Sequence, residues 1–329
     1  MKTLGNNSAV SLNILRSTLV ILAFLCHVSY KSFCITSNTV EKDKYTSVTS
    51  NLIKSNLEGC LEKEVWLDGV ELNAATFIYN FYRQNNYTPV WTEKNKLTPK
   101  GEAALNLLKD SYRYGIEPSF FNIEELEQYS RALSKESNLK QMAGIGTRFE
   151  FLMTNSVFLF MFQISHGREF LNSIDIHDYE GDLAKDYTKF LQNVLSHSDI
   201  KQEILKLQPN NNNYKSLQHE MELIVCYIES VEKSKLDTTN NEVICNEFFT
   251  HLFANKGICD EKTDLSSPEI FTAKLIEFQD ASGLRTSGKM DIATRNLISE
   301  QVRTKYSDIA FKLEAIRKDN DYKVGLSLK

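Results

Sequence analysis

From about residue 70 onward, apolar positions recur at helical spacing. Ala75, Ile78, Tyr79 and Tyr82 share one face, predicting a helix that Asn85-Asn86 stop. Pro89 holds Thr88 out of helical geometry, so Tyr87-Thr88-Pro89-Val90-Trp91 is expected to be extended. Thr98-Pro99 reads as an N-cap and first helical residue, leading to Ala104, Leu105, Leu108 and Tyr112 and a stop at Gly115. After Pro118, Asn122 and Glu125 have capping spacing for a helix carrying Leu126. From Phe149 to Ile164 apolar residues surround the axis, interrupted by Thr154, Asn155 and Ser156. That run is short of the twenty or so residues a membrane span needs, so it reads as a central core helix capped by Gly167. Further helices are expected over Tyr187–Leu195, Ile200–Leu207 and Tyr214 to about Val231.

A polar stretch from Lys233 to Asn241 separates a second unit. Val243, Phe248, Leu252 and Phe253 make its first helix, and Gly257 closes it. Ser267-Pro268 opens the second, with Phe271, Leu275 and Phe278 on one face and Gly283 at its end. Asp291 is a natural N-cap for the third, which carries Ile292, Leu297 and Ile298. The expected fold is all-α: a helical domain over 71–232, then a small three-helix bundle over 242–301, with a further helix within 302–329.

The N-terminus is different. Lys2 and Arg16 precede the apolar run Leu19–Cys26, which has the length of a signal-peptide core, so 1–36 reads as a signal peptide or N-terminal anchor. Residues 37–70, rich in Asn, Ser, Thr and Lys, read as a polar tether reaching Val65-Trp66-Leu67. A net charge of −5 with interspersed lysines argues against a nucleic-acid partner. The 13 glycines and 5 prolines are too few for a turn-rich β-fold, which supports the helical reading. The cysteines are Cys26, Cys34, Cys60, Cys226, Cys245 and Cys259. A helix between Cys245 and Cys259 would hold them ~18 Å apart, too far for a disulfide. Cys226, among Met221, Ile224, Val225 and Ile228, is expected to be buried as a small hydrophobe. The spacing of cysteines and histidines suggests no zinc motif, and no metal or cofactor is expected. His166, His177, His197, His219 and His251 are scattered, each expected to be structural or on the surface.

Two resemblances follow from these residues. Phe278-Gln279-Asp280-Ala281-Ser282-Gly283-Leu284, with Gly288 and Thr294, resembles the peptidoglycan-binding-like three-helix domain, departing at Ser287 (usually Asp) and Asp291-Ile292 (often Gly-Pro). The 71–232 unit resembles the scaffold domain of large bacterial L,D-transpeptidases. It does so through Phe81–Trp91, Leu97-Thr98-Pro99-Lys100-Gly101, Tyr114-Gly115-Ile116-Glu117-Pro118, Ser165-His166-Gly167-Arg168, and Leu207-Gln208-Pro209 with Tyr214. Ile309–Arg317 resembles the helix that leads into the catalytic domain of those enzymes.

That family uses a cysteine thiolate within Ser/Thr-x-Gly-Cys-x-Arg, preceded by a histidine, to attack a peptidoglycan tetrapeptide. The motif is absent, Gly59-Cys60 being the one Gly-Cys, and only a dozen residues follow Arg317. The resemblance therefore implies a non-catalytic protein of the periplasm or cell envelope, with peptidoglycan or a cell-wall enzyme as partner. Inner-membrane anchorage follows if the signal is uncleaved. The alternative is a truncated or split transpeptidase whose cysteine half is encoded separately; a third reading is a membrane-anchored helical adaptor. The candidates for ligand contact are Gln279 and Arg285 at a groove rim in the bundle, and Arg168 in the scaffold.

Overall fold

Polar side chains inside an apolar helix must find partners or break it. Thr154, Asn155 and Ser156 interrupt the most hydrophobic stretch of the chain, and the computed structural model shows where their bonds go. Thr154 Oγ1 accepts from the Trp91 indole at 2.8 Å, Asn155 Oδ1 from the Ala74 amide at 3.0 Å, and Ser156 Oγ donates to the Phe121 carbonyl at 2.9 Å. Each therefore ties a different connecting segment to the helix. The structure describes residues 42–59, 66–67, 70–173, 181–236, 246–260 and 262–320. The 1–36 segment, with its signal or anchor reading, lies outside them.

The described chain is mainly all-α, as expected. Helix α1 spans 42–59, followed by the short pair β1 Trp66–Leu67 and β2 Val70–Glu71. Then come α2 Ala75–Gln84 and the antiparallel pair β3 Thr92–Glu93 and β4 Lys96–Leu97. Helices α3 Pro99–Lys109, α4 Ile123–Lys135 and α5 Leu139–His166 follow. Next are α6 Asp182–Ser196, α7 Ile200–Leu205 and α8 Asn212–Leu236. The last three are α9 Asn246–Ala254, α10 Pro268–Ala281 and α11 Ile292–Lys318. Caps behave as expected at Thr98, Ser267 and Asp291, whose side chains accept from Gly101, Ile270 and Thr294 amides. Asn122 does not cap: it adopts a left-handed conformation at φ 50° and makes no side-chain capping bond.

Helix α5 is buried along nearly its whole length, with α2, α3 and α4 packed around it. Phe77, Phe162 and Tyr187 meet edge to face at 4.7–6.2 Å, joining α2, α5 and α6 in one core. Among the described residues no helix is long and apolar enough to cross a membrane.

Three sequence readings change. The tether over 37–70 is a helix from 42 to 59, with Tyr45, Ile53 and Leu57 buried. Gly146 makes this possible, because a Cβ there would stand 2.0 Å from the Tyr45 hydroxyl. The Tyr87–Trp91 segment is not extended throughout: Asn86 and Tyr87 turn at φ 50° and 57° before the chain reaches β3. The helix expected within 302–329 is not separate from the bundle. No breaker lies between Leu297 and Lys318, so α11 runs as one helix of 27 residues and packs on both α8 and α5. In consequence the bundle's core is shared: Met221, Ile224 and Val225 of α8 sit with Phe253, Phe278, Ile298 and Ile309.

Candidate functional site

Gln279 was expected at a groove rim; it is fully buried. Its Nε2 donates to the Lys289 carbonyl and to Thr294 Oγ1, both at 2.9 Å, while its Oε1 accepts from the Gly288 amide at 2.9 Å. The amide is consumed in holding the 287–289 turn, with Gly288 at φ 64°, against the start of α11. Gln279 is thus a turn organiser and is not placed to touch a ligand. The two departures from the resembled domain bond to one another: Ser287 Oγ donates to the Asp291 carboxylate at 2.9 Å. Asp291 also accepts from the Thr294 amide and hydroxyl, and these bonds, the amide first, hold its carboxyl below the usual range. Ser287 and Asp291 thus tie the turn to the start of α11.

Arg285 is exposed beside this turn. Arg168 lies elsewhere, at the junction of scaffold and α11. Its guanidinium stands 4.5 Å from the centre of the Phe120 ring, and its amide donates to Glu314 at 2.6 Å. Arg168 and Gln279 therefore belong to separate places. Of the neighbouring motif, Ser165 is buried with its hydroxyl donating to the Met161 carbonyl at 2.6 Å, and His166 stacks on Phe170 at 4.2 Å. Both serve the helix end.

The junction has its own centre. Arg317 of α11 is fully buried. Its Nε and Nη2 donate to the Tyr214 hydroxyl at 3.1 and 2.8 Å, and Nη2 also donates to the Tyr114 carbonyl. Among the described residues no carboxylate pairs with it, and Nη1 has no partner. Gly115 lets the helix come this close: a Cβ there would meet Ala310 at 3.0 Å, and its φ of 66° suits glycine.

A cavity of about 760 Å³ opens between α8, α9 and α11. Its floor includes Leu223, Ile224, Phe248 and Val302, and Glu220 and Lys305 form an ion pair at 2.8 Å on its edge. His251 of α9, which lines this cavity, stands with Glu247 of α9 and His219 of α8, one ligand atom of each lying within 4.8 Å of the others. Sequence reading treated the histidines as scattered. Glu247 and His251 have i,i+4 spacing and so were legible as one helical face, but His219 joins them only through tertiary packing.

The cysteines also depart from expectation. Cys226 is exposed and disulfide-bonded, its partner lying outside the described residues. Helical geometry turns it away from the inward face of Met221, Ile224 and Val225. Cys259 is free, as the distance argument against a Cys245–Cys259 bond required, and its thiol points at the Thr250 carbonyl 3.7 Å away. Cys60 lies outside the described residues.

No curated protein and no solved structure matches the chain. One family model does: residues 76–221, from the start of α2 into α8, are similar to the family described as Scaffold domain, consistent with the L,D-transpeptidase scaffold.

Proposed function

We propose that the chain is a non-catalytic cell-envelope protein that associates with peptidoglycan or a cell-wall enzyme through scaffold and bundle units like those of L,D-transpeptidases. The observation that carries this is the order of parts: a Scaffold-domain match over 76–221, then a helical unit whose 287–289 turn is held by Gln279. The disulfide at Cys226 supports an oxidising compartment such as the periplasm. The free thiol described, Cys259, is half-buried and points at the Thr250 carbonyl. Ligand contact falls to exposed groups such as Arg285 and Arg168, since Gln279 is used internally.

Sedimentation of the full chain with insoluble sacculi at low salt, where charge-assisted contacts are least screened, tests the association. Co-sedimentation that weakens in Arg285→Ala supports the reading. A chain that stays in the supernatant, both alone and with envelope enzymes added, sinks it.

A further inference from the structure

We propose that His219, Glu247 and His251 form a binding site for a zinc-like divalent transition-metal ion, clamping α9 to α8 at the mouth of the 760 Å³ groove. Three observations converge. The donors are two imidazoles and one carboxylate, a set that favours zinc and its neighbours over magnesium or calcium, which prefer all-oxygen shells. They come from two helices whose relative position is fixed: Tyr227 of α8 stacks on Phe248 of α9 at 4.5 Å between ring centres, and both belong to the shared core. The side chains already converge, with His219 Nε2 3.5 Å from a Glu247 oxygen and the two imidazole rings 6.2 Å apart at 73°.

Closure asks little of the backbone. Metal–ligand bonds of about 2.0–2.1 Å place tetrahedral ligand atoms roughly 3.3 Å apart. The present separations are within 4.8 Å, so small rotations of exposed or half-exposed side chains complete the triad. Three protein ligands leave a fourth position for water, the arrangement of an open site. Its surroundings are anionic on balance: Glu220, Glu300 and Asp308 line the groove against Lys256 and Lys305. His219 also lines a second cavity of about 590 Å³ on the Tyr114–Tyr214 side, while His251 lines the larger groove. The ion would therefore sit on the ridge dividing the two.

The test is zinc titration of the metal-stripped full chain by calorimetry, paired with the unfolding midpoint. One equivalent of zinc should bind, and saturating zinc should raise the midpoint, because the ion binds the folded arrangement. His219→Ala and Glu247→Ala, both truncations of exposed side chains, should weaken binding by more than about tenfold and abolish the midpoint shift. Removing even an outer-shell partner commonly costs about 10–100-fold. His197→Ala, an exposed histidine at the end of α6, should bind as the unaltered chain does. Circular dichroism of the metal-free variants checks that each is folded. Absence of a one-to-one event, or one that survives in both truncations with its affinity intact, overturns the proposal.

Discussion

Helices α5 and α11 each bury an ionisable side chain, Glu150 and Arg317, and neither has an oppositely charged partner among the described residues. The two solutions differ in completeness. Glu150 accepts five hydrogen bonds of 2.7–2.9 Å: from the amides of Val90, Trp91 and Thr92, the Thr92 hydroxyl and the Tyr82 hydroxyl. The shell is itself anchored, since the Tyr45 hydroxyl of α1 donates to Thr92 Oγ1 at 2.8 Å. Arg317 makes do with one hydroxyl, one carbonyl and a tyrosine face 5.5 Å away, leaving Nη1 without a bond. Glu150 organises a loop within the scaffold; Arg317 joins the scaffold to the helix that leaves the bundle. A complete shell belongs where one unit must be unique. An incomplete one marks a contact made between units, where fewer groups converge on the buried charge.

Removing each charge should expose that difference. Glu150→Ala takes the acceptor from three backbone amides and the Thr92 hydroxyl, and each buried unsatisfied group costs about 1–3 kcal/mol. A loss of at least about 3 kcal/mol in denaturant unfolding is expected, with α1 and the 90–92 segment released first in hydrogen exchange. Arg317→Met keeps the volume and removes a charge whose burial is imperfectly repaid, so the loss should be smaller, about 1–2 kcal/mol. Its signature is separation: calorimetry should resolve two transitions where the unaltered chain shows one. A single transition in Arg317→Met would break the view of Arg317 as the link between units.

What the sequence made legible follows range. Caps at Thr98, Ser267 and Asp291 and stops at Gly167, Gly257 and Gly283 are local, and the structure has them where spacing put them. The helix expected to reach Gly115 ends instead at Lys109, and a 3-10 turn over 110–114 carries the chain to that glycine. The buried α5 was legible because apolar residues on every face admit few other outcomes. Glu150 was not, because its partners lie 58–68 residues away, and a glutamate within an apolar run carries no local sign of them. The same holds for Arg317, whose bonds reach Tyr114 and Tyr214, and for His219 beside His251. Helix α1 is a different failure. Tyr45, Thr49, Ile53 and Leu57 recur every four residues and are all buried, yet the polar composition around them read as a tether.

Between the units, Gly115 permits the approach that Arg317 fastens. Gly115→Ala places a methyl 3.0 Å from Ala310 and asks an L-residue to hold φ 66°. The left-handed conformation costs about 1–2 kcal/mol, and the clash adds to it. The loss should fall on the α11 junction: hydrogen exchange at 306–317 should rise while the Val90–Thr92 amides stay protected. Equal loss of protection in both regions would mean that the two buried charges belong to one cooperative unit.

The smallest expected effect concerns pH and separates the buried charges most sharply. Burial pushes the Glu150 carboxyl above its ordinary 4.5, and the bonds from Val90, Tyr82 and Thr92 pull it down without cancelling that push. A carboxyl whose pKa is raised on folding binds its proton more tightly in the native state. Its contribution is therefore fully present below pH 4.5 and is lost as pH rises through the folded value. Glu150→Gln cannot titrate, so the stability gap between it and the unaltered chain should narrow upward from pH 4.5 by less than about 1.4 kcal/mol per pH unit. Arg317→Met keeps Glu150 in place, so its gap to the unaltered chain should show no such narrowing. Unfolding curves for all three proteins at half-unit steps from pH 4 to 8 measure both slopes. A gap for Glu150→Gln that widens with pH would mean that the five donors outweigh burial.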